Sequence, residues 1–148
     1  TNAEYLDSMK GQFAIVQAVL GGIGAVSLLV AAIGIANTMM MSIYERTKEI
    51  GVMKVLGCDM RNIQAMFLME AADIGLVGGI VGLGISYLIS MIINKVVAAS
   101  GNMSSLSYIP LWLAGASVIF AVVIGMAAGY FPSKRAMKLS PLAAIRNE

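Results

Sequence analysis

Charged side chains in this sequence are gathered into narrow bands separated by long apolar stretches. Residues 11–44, 74–94 and 96–133 carry no Asp, Glu, Lys or Arg. A helix crosses the hydrocarbon core of a bilayer with about 20 apolar residues. The middle stretch, taken back to Ile63, predicts one crossing at 63–94. The last stretch opens with polar residues 99–107, so its crossing is placed at 109–131 after an outer loop at 95–108. Pro110 suits the first turn of that helix and Pro132 its end. The first stretch is too long for one crossing and too short for two. As a helix it would measure about 51 Å, against a hydrocarbon core of about 30 Å. Its most apolar part predicts a crossing at 23–43. Residues 1–22 then form an amphipathic stalk outside the bilayer, with Phe13, Val16 and Leu20 along one side.

Composition supports the same reading. Charged residues make up 12% of the 148 and hydrophobic residues 59%, whereas soluble domains carry about 25% charge. The chain is therefore expected to be an all-α integral membrane protein with three transmembrane helices. The sequence has no His and a single Cys58, which removes the commonest general base, internal disulfides and thiolate metal clusters. Ser27, Ser86, Ser90 and Ser117 lie in the spans with no His to activate them. No catalytic, cofactor-binding or metal residue is expected, and a net charge of +2 gives no footprint for nucleic acid. The 12 Met residues read as core and lipid-facing packing.

Lys and Arg set the orientation. Arg46, Lys48, Lys54 and Arg61 lie between the first two spans, and Lys134, Arg135, Lys138 and Arg146 follow the last; only Lys10 and Lys95 fall on the other side. The expected protein is thus a multi-pass protein of the cell (plasma or inner) membrane, N-terminus outside and C-terminus cytoplasmic, with a cytoplasmic tail at 132–148. The first residue is Thr1 rather than Met, which reads as a piece of a longer protein with an external domain upstream. Small residues recur four apart at Gly21/Ala25, Gly75/Gly79, Gly78/Gly82, Ala121/Gly125 and Gly125/Gly129, a spacing that lets helix backbones approach closely in lipid. Glu70 and Asp73 stand one turn apart near the start of the second span. A carboxylate at membrane depth is a functional candidate, but no basic residue lies deep in any span, so an intramembrane polar contact near the interface is expected of them rather than a proton pathway.

Residues 44–62 are too charged to span and too patterned for a linker. Glu45 can meet Lys48, and Arg46 can meet Glu49, at helical spacing. Ile50, Met53 and Leu56 form an apolar stripe, Gly57 is placed to end the helix, and Asp59 can cap the next one. The residues alone allow an interface-lying helix or a knob in a partner's groove; mixed charge beside the stripe favours a protein partner.

The string Glu45-Arg46-Thr47-Lys48-Glu49-Ile50-Gly51-Val52-Met53-Lys54-Val55-Leu56-Gly57 resembles the signature of FtsX-like permease domains, found in MacB-type and lipoprotein-releasing ABC transporters. Phe67-Leu68-Met69-Glu70-Ala71, the glycine-rich run 75–84, Phe131-Pro132-Ser133-Lys134-Arg135-Ala136 and Ser140-Pro141-Leu142-Ala143-Ala144-Ile145-Arg146 match in order. The resemblance implies the last three helices of a four-helix permease. It also implies that segment 44–57 is a coupling helix receiving the motion of an ABC ATP-binding subunit or domain and passing it to external domains, which is mechanotransmission. The expected contact residues are Glu45, Arg46, Lys48, Glu49, Ile50, Gly51, Met53, Lys54, Leu56 and Gly57. No phosphate loop ending in Gly-Lys-Ser or Gly-Lys-Thr is present, so ATP and Mg belong to the partner ATPase and none to this chain. The family also implies a second permease copy, as a homodimer or close heterodimer, and in some members an external adaptor. Export or extrusion is the expected activity; the alternative is an FtsX-type regulator of cell-wall hydrolases that transports nothing.

Overall fold

The computed structural model describes residues 1–101 and 105–138, which form four helices: α1 (Asn2–Glu45), α2 (Thr47–Val55), α3 (Met60–Ala99) and α4 (Leu111–Met137). Among the described residues there is no strand. α1, α3 and α4 are each long and apolar enough to cross a membrane. The tail motif at 140–146 and part of the outer connector lie outside the described residues.

The boundaries differ from the sequence expectation in three places. α1 is one unbroken 44-residue helix, about 66 Å long, so nothing in the backbone marks a change between residues 22 and 23. α3 continues past Asn94 to Ala99. α4 runs through Pro132 to Met137 instead of ending there. A helix-interior proline forfeits a hydrogen bond and crowds the preceding turn. Here Pro132, Ser133 and Ala136 are buried, and Ser133 Oγ donates to the Tyr130 carbonyl at 2.7 Å. Burial of this last turn outweighs the local preference for a stop. Pro110 sits just before α4, as its cap residue in extended conformation.

α3 and α4 form the most extensive helix pair, and small residues make it. A Cβ on Gly75 would lie 2.5 Å from the Ala121 carbonyl oxygen, and one on Gly125 would lie 2.7 Å from the Ala71 carbonyl oxygen. Backbone meets backbone at these points, the packing that holds helices together where lipid removes the hydrophobic drive. Gly78, Gly82 and Gly21 have nothing within 4 Å of such a Cβ, so their four-residue spacings do not serve this pair.

α1 is attached at one end only. Residues 1–31 are all exposed, while Met39 and Ile43 are buried with Ile50, Ile63, Phe67, Ala71 and Ala136. The core thus gathers the end of α1, the start of α3, the end of α4 and α2. Aromatic side chains mark both ends of α4. Trp112 lies near its start, and Tyr130 and Phe131 pack edge-to-face at 6.0 Å near its end. Their separation of about 29 Å along the helix matches the hydrocarbon thickness and the usual aromatic belts.

Candidate functional site

Only Arg46 separates α1 from α2. The Thr47 hydroxyl is shared between the carbonyls of Ile43 at 3.0 Å and Tyr44 at 2.9 Å, occupying acceptors that the ending helix leaves open. α2 ends in a Schellman motif: Cys58 N–H bonds the Met53 carbonyl at 3.0 Å and Gly57 N–H the Lys54 carbonyl at 3.2 Å. Gly57 has φ +91°, a conformation a side chain would oppose. Asp59 then caps α3, its carboxylate accepting from Arg61 N–H at 3.4 Å. The nine-residue α2 is therefore fixed at both ends between two long helices.

Ile50 is fully buried and Gly51 is buried, with Met53 half-buried against the same core. Leu56 is 80% exposed. The expected stripe is therefore split: Ile50 and Met53 anchor α2 to its own chain, and Leu56 faces outward because Gly57 turns the chain just beyond it. The outward apolar residues are Val52, Val55 and Leu56, bordered by exposed Lys48 and Glu49. Sequence reading missed Val52 and Val55, although their i, i+3, i+4 relation with Leu56 is the pattern of one helix face.

The expected local ion pairs do not form among the described residues. Arg46 Nη1 instead meets Glu70 Oε2 at 3.4 Å, joining the α1–α2 break to α3, and Glu49 stays exposed on α2. Asp73 is exposed, with no cation within 4.0 Å among the described residues, so the two carboxylates do not form one site. Glu45 and Glu70 border a cavity of about 640 Å³ with Asn37, Thr38, Met41 and Ser42. Lys54 Nζ donates to the Met137 carbonyl at 2.7 Å, and burial pushes its pKa below the ordinary 10.5. No group of three His, Cys, Asp or Glu among the described residues is arranged to hold a metal ion.

A family model described as FtsX-like permease C-terminal matches residues 21–141. An ABC transporter permease of Methanocaldococcus jannaschii is 41% identical over 127 residues, covering 86% of this chain and 32% of that protein. The Bacillus subtilis ABC transporter permease YtrF is 40% identical over 136 residues, covering 85% of this chain and 31% of that protein. The macrolide export ATP-binding/permease protein MacB of Neisseria gonorrhoeae is 38% identical over 133 residues, covering 87% of this chain and 19% of that protein. The chain thus spans a third or less of the length of these relatives.

Proposed function

The chain belongs to the FtsX-like permease C-terminal family, a multi-pass membrane family, and from that premise we propose that it is the transmembrane coupling part of an ABC export system. In this reading α2 lies on the cytoplasmic side and receives the closing movement of an ATP-binding subunit or domain, where ATP and Mg are bound. α1 carries the displacement across the bilayer, with residues 1–22 as an external stalk. A second permease copy completes the membrane unit, and, as in some members of the family, an adaptor outside the membrane joins it.

The observation that carries this reading is the two-sidedness of α2. Ile50 and Met53 bind it into the core at the end of α1 and the start of α3, while Val52, Val55 and Leu56 stay exposed on its other side. A helix so built is tied at its ends to both long helices, and it still has an apolar face for a groove. The flanking Lys48 and Glu49 give that face both signs of charge, which suits a protein better than an anionic membrane surface.

The test is ATP-driven export by the full-length protein with its ATP-binding part. Val52→Asp combined with Leu56→Asp is expected to lower export at least tenfold, with membrane insertion unchanged. Unaltered export, with ATP hydrolysis still coupled to it, would remove α2 as the receiving element.

A further inference from the structure

The end of α4 holds a second feature that coupling does not use. A cavity of about 330 Å³ opens between α1 and α4, lined by Met40, Phe131, Lys134, Arg135 and Lys138. Its volume falls in the range of roughly 300–1,000 Å³ usual for small-ligand sites. Met40 and Phe131 supply its apolar lining, and Lys134, Arg135 and Lys138 supply three cations. Among the described residues no carboxylate lies within 4.0 Å of any of them. A helix C-terminus carries roughly half a negative charge, so charge compensation of α4 accounts for a fraction of one cation, not three.

Depth along the helix identifies the ligand class. Lys134 is about 34 Å from Leu111 along α4, just beyond a hydrocarbon core of about 30 Å, and Phe131 is at its edge. The cations therefore stand at headgroup level, with the exposed Phe131 ring and the Met40 thioether immediately on the acyl side. Basic pockets between membrane helices are a recurrent means of holding anionic headgroups.

We propose that this cavity is a site for one anionic phospholipid, in the leaflet on the α2 side of the membrane. Lys134, Arg135 and Lys138 hold the headgroup phosphate, and Met40 and Phe131 pack on the glycerol and the first acyl methylenes. The lipid bridges α1 and α4 at the level where α1 joins the core. The inference rests on the membrane spans alone and needs no ATP-binding partner, so it and the coupling proposal can fail separately.

The protein, purified in mild detergent, is titrated with phosphatidylglycerol and with phosphatidylcholine of the same acyl chains, and bound lipid is counted by native mass spectrometry. The expected result is one phosphatidylglycerol bound at least about tenfold more tightly than phosphatidylcholine, a preference that weakens with salt. Lys134→Gln, Arg135→Gln and Lys138→Gln together should abolish the preference. Lys10→Gln, Arg61→Gln and Lys95→Gln, which remove the same charge elsewhere, should leave it, and Lys134→Arg with Lys138→Arg should retain it. If the triple variant fails to accumulate, the exposed Arg135→Gln alone should lower the preference at least threefold. Equal loss in the control triple, or no preference at all, would overturn the site. Displacement of the lipid by soluble glycerol phosphate would make it a free-anion site and overturn the lipid assignment. Loss of a co-purifying protein with lipid binding intact would make the patch a protein interface instead.

Discussion

The Lys54 ammonium donates a 2.7 Å hydrogen bond to the backbone carbonyl of Met137, joining the end of α2 to the last turn of α4. One of the carbonyls that a helix end leaves without a partner is thus satisfied by the helix proposed above to receive the movement of the ATP-binding part. Lys54 is half-buried there and holds α2 against its own chain. Replacing it with Met keeps the aliphatic stem and removes the donor. The expected cost is about 1 kcal/mol, read as a lower melting temperature in detergent at neutral pH.

The same residue gives a pH dependence. Burial lowers the Lys54 pKa in the folded state below the ordinary 10.5, so folded protein releases this proton before unfolded chain does. Between the lowered value and 10.5 the unfolded state binds more protons, and stability from this group rises with pH. The melting-temperature gap between the protein and Lys54→Met should therefore widen in the protein's favour as pH rises into that window. A gap that narrows would contradict the assignment.

The α3–α4 contact predicts opposite outcomes for two glycines of one helix. Gly75→Ala places a methyl 2.5 Å from the Ala121 carbonyl oxygen, and such overpacking costs about 1–3 kcal/mol. Gly78→Ala meets nothing within 4 Å and gains helix propensity, up to about 1 kcal/mol. Thermal unfolding in detergent should separate the two in sign.

At the other end of α3, Asn94 closes the loop back onto the helix. Its Oδ1 accepts from the backbone N–H groups of Ser107 at 2.8 Å and Leu106 at 3.0 Å, and its Nδ2 donates to the Ser107 carbonyl at 2.8 Å. Asn94→Leu leaves all three backbone groups without that partner. A loss of about 2–3 kcal/mol is expected, with faster hydrogen exchange at the Leu106 and Ser107 amides as the direct readout.

Orientation is open to a direct check through Cys58, the only cysteine, which is exposed just past α2. An impermeant thiol reagent should label it in inside-out vesicles and leave it untouched in intact cells. Labelling of intact cells would reverse the proposed topology.

The chain's own pattern made much of this legible. Charge-free stretches mark all three long helices, because a membrane span must exclude charge. Gly57 and Asp59 act within a few residues of their neighbours, so their stop and cap roles could be read locally. What could not be read depends on which surfaces meet. Gly75/Gly79 and Gly78/Gly82 look alike in sequence, yet only the first pair faces α4. Arg46 had Glu49 at helical spacing and took Glu70 instead, a partner that only the packing of α3 supplies. Pro132 looked like a terminus because the burial that carries α4 past it comes from other helices.

α1 has a mechanical consequence beyond its length. Its first 31 residues are all exposed, and its hold on the molecule begins near Ile35, so within this chain it is a cantilever clamped at one end. Asn2 lies about 50 Å from that clamp at 1.5 Å per residue. By that geometry, a tilt of about 5° at the clamp sweeps the free end through about 4 Å. In the coupling proposed above, ångström-scale sliding around Ile43 and Ile50, too small to open a pore, would become a displacement the size of a side chain on the far side of the membrane.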